Sequence, residues 1–136
     1  MKYFNFVSDG IKAKIDSNAQ RKGRRGVFTT IALEKSSIVE VCPVIVIPPA
    51  DVPKIHETIL HDFYFLWGDD EKSAVIALGF GSLYNHAIYP NLDYEMDFEL
   101  NTISFVAIQD IDAWTELTIN YNGKSGDSQE VWFKIN

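Results

Sequence analysis

The sequence predicts a mainly β protein built as one domain. Apolar and β-branched residues fall into short runs with turn-rich boundaries, a pattern typical of strands. The chain has 136 residues, of which 46% are hydrophobic and 23% are charged, an ordinary composition for one globular domain. We therefore expect several short strands, one short helix, and a single domain over residues 1–136.

Six runs carry the strand pattern. The predicted strands cover residues 11–15, 26–31, 37–48, 92–97, 102–108 and 116–121. In the run 92–97 apolar residues alternate with acidic residues, which is typical of a half-exposed strand. The run 102–108 is apolar at most positions, so that strand should be nearly buried on both faces.

A helix is predicted directly after the longest strand. Two prolines close the strand, and Asp51 then stands where it can cap a helix that has Pro53 in its first turn. Ile55, Ile59 and Leu60 are spaced to face the protein interior.

Charge and residue counts exclude several kinds of protein. With 12 basic and 19 acidic residues the formal charge is -7, which disfavours nucleic acid and suits a basic polypeptide partner. The single cysteine, Cys42, excludes an internal disulfide and a Cys-rich zinc cluster. The three histidines are not spaced as metal ligands, so we predict no metal site.

The predicted location is the cytoplasm, because the sequence has no long apolar run and its first residues lack a secretory core. The nucleus is the alternative in a eukaryote, and a host nucleus is the alternative for an effector protein. No membrane partner is expected.

Three motifs carry the functional signal: KGRRGVFTT at 22–30, GFGSLYNHAIYPN at 79–91 and ELTINY at 116–121. Together they resemble the core motifs of the SET-domain protein lysine methyltransferases, over roughly residues 20–121. The resemblance implies a SET-domain (β-clip) fold of several short sheets with a threaded C-terminal pseudoknot and one short inserted helix, followed by an aromatic segment at 122–136. It also implies methyl transfer from S-adenosyl-L-methionine to a lysine of a basic protein or peptide.

The resemblance assigns the catalytic roles to two tyrosines. Tyr121 matches the family's catalytic tyrosine and is also a candidate cofactor contact, and Tyr84 is a second catalytic candidate at the same site. The alternative for Tyr121 is a packing role, with its hydroxyl bonded to a backbone carbonyl. Phe63 and Tyr64 are candidates for the aromatic wall of the lysine channel, and Ile119 stands where relatives carry Phe or Tyr to limit methylation. Ile119 therefore favours more than one methylation.

Further residues match positions that bind the cofactor in relatives. Arg24, Arg25, Gly26 and Phe28 belong to the loop around its methionyl end, where an arginine can pair with the carboxylate. A solvated basic turn is the alternative for the arginines. Arg24 also stands where the family has glycine.

Asn85 and His86 match positions that hold the adenine and methionyl parts of the cofactor. The alternative is a turn in which Asn85 bonds the backbone, and both roles are compatible; Asn91 is expected mainly to pin the segment. Trp132 resembles an aromatic lid over the adenine, with a place at the edge of the core as the alternative.

The Cys-rich tail that closes the lysine channel in many relatives is absent from this sequence. Either the aromatic segment or a second subunit of a homodimer must close it. Acidic residues could form a rim that attracts a basic peptide, which could add as a strand to a sheet edge: Asp69, Asp70, Glu71, Glu95, Asp97 and Glu99. A catalytically inactive SET fold that binds peptides or assembles with a partner is the rival hypothesis, and methylation of a small amine is a third.

Overall fold

The computed structural model describes residues 11–15 and 25–122. Strands dominate this part of the chain, which confirms the mainly β prediction. The strands are β1 Ile11–Ile15, β2 Arg25–Thr29, β3 Ile38–Ile47, β4 Tyr64–Trp67, β5 Ser73–Ala77, β6 Asn85–His86, β7 Leu92–Asp97, β8 Thr102–Ala107 and β9 Glu116–Ile119. A short helix, α1 Val52–His56, lies between β3 and β4 and is followed by a 3₁₀ turn, Ile59–Asp62. A second 3₁₀ turn, Gly81–Leu83, precedes β6.

The described strands form two sheets. One has the order β1-β2-β9-β6 and the other has the order β4-β5-β3-β8-β7. Neighbours are antiparallel, except that β6 runs parallel to β9. The motifs at 79–91 and 116–121, which are far apart in sequence, therefore become neighbours in one sheet.

The core lies between the sheets and is packed from alternating strand positions. In β8, Ile103, Phe105 and Ala107 are buried while the residues between them are half-buried. In β7 the acidic residues are exposed and the alternate positions are buried or half-buried, as the sequence pattern predicts. Tyr84 and Phe105 are the largest fully buried side chains of the described residues, and their ring centroids lie 4.7 Å apart.

The helix is shorter than predicted, and the prediction of which residues face the interior is wrong. Asp51 stands at the N-cap of α1 but makes no side-chain capping bond. Thr58 ends the helix, because its hydroxyl donates to the Ile55 carbonyl and accepts from the Leu60 amide, which starts a 3₁₀ turn. Ile59, predicted to be buried, is 78% exposed after this change of path.

The hairpin of β4 and β5 was not predicted. Its turn places Gly68 at φ +91 and Glu71 at φ +55, both in the left-handed region. Tyr64 pairs with Ile76 and Trp67 pairs with Ser73 across the hairpin. β4 and β7 are the two edges of the same sheet, yet the Phe65 and Tyr94 rings lie 5.3 Å apart, so the sheet curls strongly.

Candidate functional site

The centre of the candidate site is the pairing of β6 with β9. Asn85 lies opposite Thr118 and His86 lies opposite Ile119. The Ala87 amide extends this pairing by donating to the Ile119 carbonyl at 2.9 Å. On its other side β9 pairs with β2, so all three sequence motifs meet around this strand.

Asn91 holds β9 with both ends of its side-chain amide. Its Nδ2 donates to the Glu116 carbonyl at 2.8 Å, and its Oδ1 accepts from the Thr118 amide at 2.9 Å. The Asn91 side chain thereby makes two hydrogen bonds to the backbone of β9 of the kind that a neighbouring strand would make. Asn91 has the pinning role that the sequence predicts.

Tyr121 follows directly after β9 and is held at two points. Its hydroxyl donates to the Tyr84 carbonyl at 2.8 Å, and its amide donates to His86 Nδ1 at 2.9 Å. Because Nδ1 accepts, the neutral His86 ring carries its proton on Nε2. The His86 and Tyr121 ring centroids are 5.1 Å apart. The phenol of Tyr121 is therefore fixed beside the Asn-His segment. Its bond to a backbone carbonyl is the one that the packing alternative predicts, and its catalytic role stays a prediction.

Asn85 is buried and pinned, as one of its two predicted roles requires. Its Nδ2 donates both to the Arg25 carbonyl at 3.0 Å and to Glu116 Oε2 at 2.8 Å. These bonds commit both amide hydrogens, so any ligand contact from Asn85 must use other atoms of this residue.

Gly26 lets β2 approach this cluster closely. A Cβ at Gly26 would lie 2.5 Å from Glu116 Oε2 and 3.1 Å from the Phe28 ring, so the Glu116 carboxylate would have to move. Phe28 is buried, whereas Arg25 is exposed at the start of β2. Arg24 and Trp132, the other predicted cofactor contacts, lie outside the described residues.

A cavity of about 420 Å³ lies between the edge strands β4 and β7 and extends to Tyr121. Its aromatic lining is Phe63, Tyr64, Phe65, Tyr84, Tyr94, Phe98 and Tyr121. The cavity thus brings together the two predicted catalytic tyrosines and two of the three predicted channel residues. Ile119 is fully buried in the core and does not line it.

Three tyrosines of the cavity lining, Tyr64, Tyr84 and Tyr94, have raised pKa values. Burial raises the pKa of Tyr94 to about 12, and the negative charges of Asp93 and Glu71 add to the rise. Burial raises the pKa of Tyr64 as well. For Tyr84, burial and then the nearby Glu40 carboxylate raise the pKa well above its usual value. These phenols therefore carry no charge at neutral pH, and the Tyr84 hydroxyl already donates its hydrogen bond to Glu40.

Of the six predicted rim residues, Glu71 lines the cavity, where its exposed side chain marks the mouth. Asp97 and Asp70 accept backbone bonds within their own turns, which is a local structural role. Asp62 is a further carboxylate of the lining that the sequence analysis did not identify. The sequence pattern did not identify Asp62 because it predicted a helix with Ile59 and Leu60 facing inward, whereas this segment forms a 3₁₀ turn.

Sequence reasoning also missed the partners of the motif residues. Glu40 and Glu116 accept hydrogen bonds from Tyr84 and Asn85, and Tyr94 lines the cavity. The sequence signal that could have indicated Glu40 is a glutamate within an otherwise apolar predicted strand. In residues 11–15 and 25–122, no group of three potential ligands could hold a metal ion, and no helix is long and apolar enough to span a bilayer.

Comparison with known proteins adds independent information. The family model described as "SET domain" matches residues 24–122. A Schizosaccharomyces pombe protein named histone-lysine N-methyltransferase, H3 lysine-37 specific, is 30% identical over 118 residues, which are 86% of this chain and 74% of the relative.

Solved structures share the fold. The solved structure of a Plasmodium falciparum protein matches with a TM-score of 0.64 and 26% identity, over 84% of this chain and 98% of that chain. A chain of the Chaetomium thermophilum Polycomb Repressive Complex 2 bound to S-adenosylmethionine gives a TM-score of 0.66 and 20% identity, over 82% of this chain and 15% of that chain. At that identity the second likeness concerns the fold alone.

Proposed function

Because this chain belongs to the SET-domain family and is an S-adenosylmethionine-dependent lysine N-methyltransferase, we propose that it methylates lysines of a basic protein through the cavity that Tyr121 lines. The family, the enzyme class and the methyl donor agree with the motif resemblance. The observation that carries the proposal is the fixed Tyr121 phenol at the wall of an aromatic cavity, beside the Asn-His segment.

The cavity suits the removal of a proton from lysine. A lysine with a pKa near 10.4 must lose its proton before it attacks, which costs roughly 4.6 kcal/mol at pH 7. Aromatic walls such as those of Phe65, Tyr94 and Tyr121 disfavour the ammonium form by desolvation while they pack against its alkyl stem. Glu71 at the mouth attracts the charged side chain before it enters.

Tyr121 would orient the amine. Since its hydroxyl donates to the Tyr84 carbonyl, its oxygen meets an incoming amine as an acceptor. A neutral phenol is a weak base, so its contribution is alignment rather than proton removal. Alignment matters because methyl transfer is an in-line displacement that requires the reacting atoms within about 3–3.5 Å.

The residues around Asn85 fit the methyl donor. Arg25 is exposed next to the buried Asn85 amide, where its guanidinium could pair with a methionyl carboxylate. The close approach at Gly26 keeps the backbone of β2 against this cluster. S-adenosylmethionine supplies an electrophilic methyl group on a sulfonium, and Asn85, His86 and Arg25 are the described residues that would hold it.

A histone-like basic protein is the substrate that the charges favour. The formal charge of this chain is -7, and the S. pombe relative is named for a histone lysine. β7 is an edge strand whose exposed face is acidic, while its Tyr94 and Met96 line the cavity. A basic peptide paired along β7 would therefore carry its lysine to the cavity.

The test is methyl transfer from labelled S-adenosylmethionine to histones and to a whole-cell extract, followed by mass spectrometry of the modified residue. We expect labelled lysine with the wild type and a loss of at least about a hundredfold for Tyr121→Phe, with S-adenosylhomocysteine binding unchanged by calorimetry. Tyr89→Phe is the matched control, because Tyr89 is 82% exposed and does not line the cavity. Cofactor binding without transfer to any protein would favour the inactive binding module instead.

A further inference from the structure

Glu40 is a buried carboxylate in the otherwise apolar strand β3. Its side chain is 6% exposed, and both of its oxygens accept hydrogen bonds. Oε1 accepts from the Tyr84 hydroxyl at 2.8 Å, and Oε2 accepts from the Phe80 amide at 3.0 Å. A carboxylate this deep is costly to bury unless such bonds compensate it, so its presence calls for a reason.

The segment that leads into the Asn-His motif is shaped around this carboxylate. Gly79 has φ +65, and a Cβ there would lie 2.5 Å from Glu40 Oε2. Only glycine allows this approach in that conformation. The chain then makes a 3₁₀ turn and reaches Tyr84, whose phenol returns to the same carboxylate.

Tyr84 connects this anchor to the proposed catalytic residue. Tyr84 is 1% exposed, and its hydroxyl donates to Glu40. Its backbone carbonyl accepts from the Tyr121 hydroxyl at 2.8 Å. A change in the position of Tyr84 would therefore move its backbone carbonyl, which accepts the hydrogen bond that orients the Tyr121 phenol.

We propose that Glu40 is a positioning residue for methyl transfer, which holds Tyr84 so that its carbonyl aims the Tyr121 hydroxyl into the cavity. Glu40 lines no part of the cavity and acts only through Tyr84. The inference rests on the proposed function insofar as the aimed hydroxyl serves catalysis. The Glu40–Tyr84–Tyr121 linkage itself does not depend on turnover.

Glu40→Gln is the primary test, because it keeps the shape but replaces one accepting oxygen with a donor. One of the two donors then loses its acceptor. We expect kcat to fall about tenfold, since misplacement by 1 Å can cost about a hundredfold. The KM values for donor and peptide should stay within about twofold, because no substrate contact is removed. A raised KM with unchanged kcat would overturn the proposal.

Two matched controls separate positioning from stability. Val39→Ala removes buried apolar volume from the neighbouring position of β3 and should lower the melting temperature without changing kcat. Glu34→Gln makes the same chemical change at an exposed residue and should change neither. If Val39→Ala lowers kcat as much as Glu40→Gln at equal loss of stability, the effect is structural and the proposal is wrong.

NMR of labelled tyrosines tests the Glu40–Tyr84–Tyr121 linkage without requiring methyl transfer. In protein labelled with ¹³Cζ-tyrosine, Glu40→Gln should shift the resonances of both Tyr84 and Tyr121 and leave that of Tyr89 in place. An unmoved Tyr121 signal would overturn the positioning role even in an active enzyme. Absence of methyl transfer by the wild type would instead contradict the proposed function. If Glu40→Gln does not fold, Tyr84→Phe removes the same hydrogen bond and should shift Tyr121 in the same way.

Discussion

Replacing Asn91 by alanine should destabilise the protein strongly, because two backbone groups of β9 lose the buried side chain that holds them. The Glu116 carbonyl loses the Asn91 amide, and the Thr118 amide loses the Asn91 carbonyl oxygen. Asn91 is 8% exposed and Thr118 is 4% exposed, so solvent cannot readily replace these bonds. An unsatisfied buried group costs about 1–3 kcal/mol, which gives about 2–6 kcal/mol for the pair. That is a large part of a typical stability of about 5–15 kcal/mol.

Urea unfolding followed by tryptophan fluorescence measures this loss as a lower midpoint at an unchanged slope. The melting temperature should fall by at least about 8 °C, at about 4 °C per kcal/mol for a domain of this size. Asn91→Asp keeps the acceptor for Thr118 but turns a second oxygen towards the Glu116 carbonyl, so it should be nearly as harmful. Gln109→Ala, at an exposed amide side chain, should change stability by less than about 0.5 kcal/mol. A loss below about 1 kcal/mol for Asn91→Ala would refute the reasoning.

Three further predictions concern the site. Gly26→Ala should weaken S-adenosylhomocysteine binding in calorimetry, because the added Cβ displaces the Glu116 carboxylate from its place beside β2; unchanged affinity would contradict this. Stability should fall as the pH rises from about 10 towards 12, since Tyr94 titrates near 12 when folded and near 10 when unfolded, so the unfolded state loses its proton first. Tyr94→Phe should flatten that decline in urea titrations, and an unaltered slope would count against it. Glu71→Gln should raise the KM for a basic peptide severalfold at low salt and much less at high salt. Glu34→Gln should leave this KM unchanged. Equal effects of Glu71→Gln at both salt concentrations would exclude an electrostatic role.

Local pattern was sufficient for most of the described strands. All six predicted runs form strands, and the bounds of 11–15 and 92–97 are reproduced in β1 and β7. The alternation of exposed acidic positions with buried or half-buried positions in β7 also follows from the sequence, and β8 has no exposed position, as its apolar run predicts. These features depend on side chains two residues apart, which a single sequence displays directly.

The errors occur where tertiary contacts decide the structure. β4 was interpreted as an aromatic wall rather than as a strand, although Gly68-Asp69-Asp70 is a turn signal that could have indicated the hairpin. β6 contains only Asn85–His86 and exists because β9 offers it a parallel partner. No propensity of two residues predicts such a strand.

The positions of Ile119 and Tyr121 show why periodicity alone could not build the site. Leu117 and Ile119 lie two residues apart in β9 and are both fully buried, as alternation requires. Tyr121 would continue that inward face, but β9 ends at Ile119 and the chain turns. The phenol instead reaches the cavity wall, held by His86 and by the Tyr84 carbonyl, residues 35 and 37 positions away. Its location is thus determined by buried polar bonds between distant segments, so the motif resemblance could indicate it while local pattern could not.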